Sequence, residues 1–257
     1  MKPDGEFRLL QVSDCHLLPG ADGRYRGLPA LASLERVLEA GQRWRPDAWL
    51  FSGDLSEDAS PASYDLLSES LRDIGADVLV LPGNHDDPEQ LAGRFPRGPW
   101  QGPCAVEAGG WRIVMMDSTV PGDPAGAFDT SQLDALDAEL AGTRAPVLVA
   151  LHHQPLPVGS PGVGKDPVRE AGAVTARRSR DPAVRVVTWG HVHHGWRKQQ
   201  EGITWVAAPS SVANALPWRE RFEADPGGPA CRWFRLWKSG DFATGLLRPA
   251  PGRTGGA

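Results

Sequence analysis

The sequence predicts a layered α/β fold, and three observations support this prediction. Short apolar runs of strand length recur along the chain, helical patterns lie between them, and the last third holds further strand-like runs with no long helix between them. Strands that alternate with helices are typical of sheets covered by helices. Because the runs are apolar almost throughout, the sheets should be buried on both faces.

Six runs are predicted as strands because each is short and most are rich in Val, Ile or Leu. They are residues 8–13, 48–52, 78–82, 112–117, 146–152 and 184–189. Three more runs follow at residues 203–208, 230–237 and 242–247. We predict that these last three form an antiparallel addition to the same domain.

Three helices are predicted from apolar residues repeated at helical spacing, over residues 31–38, 64–74 and 133–140. Ser60 and Thr130 are the expected N-caps of the second and third helices, and Pro61 fits the first turn after Ser60. We predict one domain over residues 1–248, followed by a flexible Pro/Gly-rich tail over residues 249–257.

The composition of the chain argues against several classes of protein. The 257 residues are 40% hydrophobic and 23% charged, as in ordinary globular proteins. The net charge of −5 argues against a nucleic acid polymer as partner. Three cysteines without a CxxC motif indicate neither a disulfide framework nor a zinc ribbon. No apolar run suggests a signal peptide or a membrane span, so we expect a cytoplasmic protein with no membrane partner.

The histidines carry the most information about function. All seven lie in four short segments, each following one of the predicted strands: His16, His85, His152, His153, His191, His193 and His194. The carboxyl ends of strands are where α/β folds place their ligand sites. The pattern therefore predicts one site built from several loops.

These segments also supply metal-ligand chemistry. Asp14 and His16 are two residues apart, as are His191 and His193, and such pairs face the same way in extended chain. Each segment alone is equally well explained as a polar turn. Together with three further residues, Asp54, Asn84 and His152, they are too many ligands for one metal and enough for two. Asp54 is the expected bridge between the metals, because it is the carboxylate placed centrally in chain order.

The order of these motifs resembles that of the calcineurin-like metallophosphoesterases. The matching segments are SDCH (13–16), SGDL (52–55), PGNHDD (82–87), LHHQPLPVGS (151–160) and GHVHH (190–194). More narrowly, the chain resembles the class III cyclic nucleotide phosphodiesterases, of the bacterial cyclic-AMP type, through residues 26–38, 52–64, 116–122 and 207–217 as well. Segment 160–172 and Gln154 depart from that family's pattern.

The resemblance implies a four-layer α/β/β/α sandwich with a dinuclear site at the strand ends. One metal would be held by Asp14, His16, Asp54 and His193, and the other by Asp54, Asn84, His152 and His191. A ligand set without thiolate suits two divalent ions per chain drawn from iron, manganese, cobalt or zinc.

The expected function is hydrolysis of a small phosphodiester, with 3′,5′-cyclic AMP converted to 5′-AMP as the named reaction. A metal-bridging hydroxide would attack phosphorus, and His85, the expected catalytic residue, would assist the leaving group. The same chemistry on a glycerophosphodiester, a 2′,3′-cyclic nucleotide or a phosphomonoester is one alternative. A non-catalytic metal- or nucleotide-binding module is another, and the oligomeric state, a homodimer included, is left open.

The expected substrate contacts are Asn84, His85, His193 and Asn214. Glu57 or Asp58 is expected to orient His85. Two interpretations are open for Arg24 and Arg26: each would either steer a nucleotide phosphate or remain solvated in a loop.

Overall fold

Thirteen strands and four helices occupy residues 5–169 and 183–250, the part of the chain that the computed structural model describes. The strands are β1 (Glu6–Val12), β2 (Arg24–Tyr25), β3 (Leu28–Pro29), β4 (Ala48–Ser52), β5 (Asp77–Leu81), β6 (Cys104–Ala108), β7 (Trp111–Met115), β8 (Val147–Ala150), β9 (Val184–Trp189), β10 (Trp196–Gln200), β11 (Ile203–Ala207), β12 (Cys231–Trp237) and β13 (Phe242–Leu247). The helices are α1 (Ala30–Trp44), α2 (Pro61–Leu71), α3 (Pro88–Ala92) and α4 (Thr130–Ala141).

Two mixed sheets pack face to face. One has the strand order β13–β12–β1–β4–β5, and the other has the order β10–β11–β9–β8–β7–β6. An apolar core that includes Leu50, Leu148 and Phe234 lies between them. The outer face of the first sheet packs under α1 and α2, and that of the second packs under α4. The protein is therefore a four-layer α/β/β/α sandwich, which confirms the predicted fold class.

The helix starts follow from their capping residues. Ser60 accepts a hydrogen bond from the Ser63 backbone N–H at 3.2 Å, as predicted for the N-cap of α2. Such a cap stabilises a helix by about 1 kcal/mol. The prediction for α4 is wrong by one residue, because Asp129 and Gln132 form a reciprocal capping box ahead of Thr130.

All nine predicted strands are present, but the pairing of the last three differs from the expectation. The strand β12 is antiparallel to β1, and β13 is antiparallel to β12. In contrast, β11 pairs in parallel with β9 in the other sheet. The last third is thus divided between the two sheets instead of forming one antiparallel addition.

Several elements lacked a clear signal in the sequence. The short β2–β3 hairpin, the edge strands β6 and β10, and the one-turn helix α3 were not predicted. The single domain over residues 1–248 stays a prediction, as does the cytoplasmic location, and the oligomeric state stays open. Of the predicted tail, residues 251–257 lie outside the described residues.

A polar contact joins the two sheets below their carboxyl ends. The side-chain Nε2 of Gln11 donates to the Ser52 hydroxyl at 2.8 Å, and the Thr188 hydroxyl donates to Oε1 of Gln11 at 2.5 Å. These residues lie on β1, β4 and β9, so the contact fixes the three strands relative to one another. None of the helices in residues 5–169 and 183–250 combines the length and apolar character needed to cross a membrane.

Candidate metal centre and active site

The loops that follow β1, β4, β5, β8 and β9 converge at one edge of the sandwich. Backbone hydrogen bonds join these loops directly, from Asp14 N–H to the Gly53 carbonyl at 3.0 Å and from His16 N–H to the Asp54 carbonyl at 2.9 Å. The Asp14 carboxylate accepts from the His191 N–H at 3.0 Å, which links the two sheets. The predicted convergence of the histidine segments is therefore a feature of the structure.

The backbone of these loops is strained. Five of the expected ligands are non-glycine residues with positive φ: Asp14 (53°), His16 (43°), Asp54 (50°), His191 (63°) and His193 (50°). Such conformations cost on the order of 1–3 kcal/mol each and are found where a site requires them. The sequence argument assumed extended chain for the Asp14–His16 and His191–His193 pairs. That assumption is wrong, because left-handed turns bring the side chains together.

Glycine is required where the loops approach most closely. A Cβ at Gly83 would lie 2.2 Å from Asp54 Oδ1 and 2.3 Å from the Asp54 backbone nitrogen. A Cβ at Gly53, whose φ is +89°, would lie 2.4 Å from Nδ1 of His152. The central carboxylate can therefore reach its position only because both neighbours lack a side chain.

Hydrogen bonds fix which nitrogen of each imidazole faces the site. Nδ1 of His152 donates to the Ser52 carbonyl at 2.8 Å, and Nδ1 of His193 donates to the Ala213 carbonyl at 2.8 Å. Nδ1 of His16 donates to the Glu57 carboxylate at 2.7 Å. In all three rings Nε2 is left as the inward-facing nitrogen, which is the arrangement of metal-ligating histidines.

Ligand atoms come within 4.8 Å of one another in overlapping groups. Two of these groups share Asp14: one adds His16 and His193, and the other adds Asp54 and His152. A further group holds His152, His191 and His153, of which His153 was not among the expected ligands.

Two buried atoms among the described residues fit a cation that would bind here. Oδ1 of Asn84 makes no hydrogen bond within that part of the chain, and neither does Nε2 of His152, although it lies 3.3 Å from Oδ2 of Asp54. A buried polar atom without a hydrogen bond is costly, and a divalent metal would satisfy both atoms. Imidazole, carboxylate and amide donors without thiolate form a suitable ligand set for such an ion. The residues present therefore fit the expected metals.

The electrostatics of Asp54 also favour a cation. Burial opposes ionisation of this carboxyl, but His152 together with His16 and His85 holds the pKa of Asp54 well below its usual range. The pKa of His152 shifts in the opposite direction. Burial opposes the positive charge of His152, but Asp54 raises the pKa of His152 to about 9. Asp54 is thus ionised at neutral pH at the centre of the cluster.

His85 lies beside this cluster, with 37% of its side chain exposed. Its Nδ1 donates to the Glu57 carbonyl at 3.2 Å, and the Glu57 carboxylate is 3.4 Å away. Of the two residues expected to orient His85, the structure thus selects Glu57, while Asp58 bonds to Ser56 and Ser60. Burial alone would lower the pKa of His85, but Asp54 and Glu57 raise it.

Asp86 is a supporting residue that the sequence analysis did not single out. Its half-buried carboxylate accepts from the backbone N–H groups of Leu55 and Ser56 and from that of Gly83 at 2.9 Å. It therefore joins the loop that carries Asp54 to the loop that carries Asn84. Its position in the PGNHDD segment (82–87) is the sequence signal that could have identified it.

The structure does not support Asn214 as a substrate contact. Its side chain is only 3% exposed, and its amide is occupied by the protein. Oδ1 accepts from Ser210 N–H at 2.8 Å, and Nδ2 donates to the carbonyls of Ser210 and Gly228. Asn214 therefore holds its own loop together.

The open side of the cluster is a cavity of about 190 Å³. Five of the expected ligands and His85 line it: His16, Asp54, Asn84, His191, His193 and His85. The rest of its lining comes from the β2–β3 hairpin, from residues 162–166, from Pro124 and from Phe222. The cavity can thus admit a small molecule to the cluster.

Sequence comparison relates the chain to known proteins. The model of the calcineurin-like phosphoesterase family matches residues 7–195. A 3′,5′-cyclic adenosine monophosphate phosphodiesterase, CpdA, from Pseudomonas aeruginosa is 33% identical over 95% of this chain and 91% of its own length. The corresponding CpdA of Vibrio vulnificus is 30% identical over 97% and 92%.

A solved structure agrees with the fold. A dimetal phosphatase from Danio rerio superposes with a TM-score of 0.70 at 17% identity, covering 95% of this chain and 99% of the other. At that identity the likeness concerns the fold alone. Since the family model spans most of the chain and relatives of 30% identity or more match nearly its whole length, this protein belongs to the calcineurin-like phosphoesterase family.

Proposed function

We propose that this protein is a dinuclear phosphodiesterase that hydrolyses 3′,5′-cyclic AMP to 5′-AMP. The observation that carries the proposal is the arrangement of imidazole Nε2 atoms around the ionised Asp54 carboxylate. The names of the two CpdA relatives support the choice of substrate.

Seven residues would hold two divalent metals. One site would use Asp14, His16, Asp54 and His193, and the other would use Asp54, Asn84, His152 and His191. When bound, the metals would supply Lewis acidity towards the phosphate and an activated water near neutral pH. Iron, manganese, cobalt and zinc all suit these donors.

The chain's own groups would orient the substrate and move the proton. Asn84, His85 and His193 line the cavity where the phosphate would lie. Because Nδ1 of His85 is engaged by Glu57, Nε2 is the nitrogen left to protonate the leaving oxygen. An imidazole ordinarily titrates near neutrality, so His85 needs no unusual pKa to hold this proton.

Elemental analysis together with a product assay tests the proposal. Purified protein loaded with Mn²⁺ should carry two metals per chain, and chromatography should show 5′-AMP formed from cyclic AMP. Turnover of bis(p-nitrophenyl) phosphate without any turnover of cyclic AMP would reject this substrate but keep the reaction class. No turnover of either diester by protein with both metals bound would favour a non-catalytic binding module.

A further inference from the structure

Part of the cavity lining differs chemically from the expected metal ligands, whose side of the cavity we call the metal end. Tyr25 and Arg26 come from the β2–β3 hairpin, and Phe222 comes from the loop between β11 and β12. All three line the same cavity of about 190 Å³ as the expected metal ligands. The cavity therefore combines the expected metal ligands with aromatic and cationic groups, and Lys165 and Asp166 add one charge of each sign to its lining.

A chain of contacts runs from His16 through Tyr25 and Arg26 to Phe222. The Tyr25 ring lies parallel to the His16 ring, with centroids 3.9 Å apart and an interplanar angle of 3°. The Tyr25 hydroxyl accepts from Nε of Arg26 at 3.2 Å. The guanidinium carbon of Arg26 in turn lies 4.0 Å over the centre of the Phe222 ring.

Arg26 is held in this position before any ligand arrives. Its backbone has φ of 48°, a conformation that costs a non-glycine residue on the order of 1–3 kcal/mol and is retained mainly where function needs it. The residue is also exposed to solvent, so a ligand in the cavity can reach its guanidinium. Arg24, on the same hairpin, instead donates to the Gly27 carbonyl.

The wall that carries Phe222 is itself anchored. Gly162 N–H donates to the Arg219 carbonyl at 2.9 Å, and Trp218 N–H donates to the Ser160 hydroxyl at 3.0 Å. These bonds join the loop before Phe222 to the segment that departs from the cyclic nucleotide family. A ring supported in this way is suited to a stacking contact.

We infer that Arg26 and Phe222 form the platform on which the base of a nucleotide stacks while its phosphate lies at the metal end. Guanidinium planes and aromatic rings both stack with nucleobases, and the contact tolerates different bases because every base has a π-face. The inference rests on the proposed function only in placing the phosphate at the metal centre. It names the ligand class as a base-bearing nucleotide.

Calorimetry tests the platform without relying on turnover. Mn²⁺-loaded protein is titrated with 5′-AMP and with ribose 5-phosphate, which has the same sugar and phosphate but no base. Wild-type protein should bind 5′-AMP on the order of 10-fold more tightly than ribose 5-phosphate. Arg26→Leu and Phe222→Leu should each lower that ratio several-fold and leave ribose 5-phosphate binding unchanged.

Two further variants separate stacking from charge. Arg26→Lys keeps the charge but loses the planar group. Its affinity for 5′-AMP relative to ribose 5-phosphate should therefore fall as in Arg26→Leu. Arg221→Leu removes an exposed arginine next to Phe222 and should keep the wild-type ratio. Thermal unfolding of each variant shows whether it folds as the wild type does.

Three results would overturn the inference. They are a wild-type ratio near one, an equal loss of both ligands in Arg26→Leu, and an unchanged ratio in Arg26→Lys. The second would assign Arg26 to the phosphate instead of the base. If the ratios behave as expected but no diester is hydrolysed, the proposed reaction fails and the base platform stands.

Discussion

Replacing Gly83 with alanine places one methyl group in the centre of the candidate metal site. The backbone of Gly83 is not in the left-handed region, so alanine adopts its conformation without strain. The effect of Gly83→Ala therefore comes from contact alone. The new Cβ would lie 2.2 Å from Asp54 Oδ1, whereas ordinary contacts begin at 3.4 Å.

The required displacement is about 1 Å, and Asp54 has little freedom to move. Its carbonyl accepts from His16 N–H at 2.9 Å, and its Oδ1 accepts from His85 N–H at 3.0 Å. Misplacing a reacting group by 1 Å costs about 10²-fold in rate. Overpacking of this kind also lowers the free energy of unfolding by about 1–3 kcal/mol.

Gly142→Ala is the matched control. Gly142 follows α4 with φ of −93°, and nothing lies within 4 Å of the position of its added Cβ. Metal content is measured by elemental analysis, activity by hydrolysis of bis(p-nitrophenyl) phosphate, and stability by urea unfolding. We expect Gly83→Ala to lose metal and about 10²-fold in activity, and Gly142→Ala to match the wild type. Two metals and full turnover in Gly83→Ala would refute the reasoning.

Three other substitutions test individual roles. His85→Ala should keep both metals and lose about 10²-fold or more in turnover, the usual scale for general acid catalysis. His85 also groups with His16 and Glu57, so a His85→Ala protein without metal would show that His85 is a metal ligand instead. Asp54→Ala should release metal from both positions, so an active protein with one metal per chain would contradict the bridging role. Asn214→Ala should lower the free energy of unfolding by about 1–3 kcal/mol, since it leaves buried backbone groups unpaired, and should affect cyclic AMP and the aryl diester equally. A loss confined to cyclic AMP would restore Asn214 as a substrate contact.

Much of the fold and part of the site could be predicted because the signals are local. The apolar runs gave all nine strands that were expected, and the Ser60-Pro61 pair marked the start of α2. The edge strand β10, with the sequence WRKQQ, has mostly exposed side chains, so it lacks the apolar run that identifies a buried strand. The parallel pairing of β11 with β9 was missed because strand direction depends on the path of the chain and leaves no local pattern.

By itself, the sequence determined the layered architecture and the chemical types gathered at the strand ends, since periodicity and motif order are properties of neighbouring residues. Only the tertiary structure decided which atoms meet. Nε2 of His16 lies 3.2 Å from Nε2 of His193 although 177 positions separate them, and both residues have a left-handed backbone where the sequence argument assumed extended segments. The tertiary structure likewise directs the Asn214 side chain into its own loop and places Arg26 over Phe222. Contacts between distant segments depend on how the sheets pack, and no local pattern in the chain encodes that geometry.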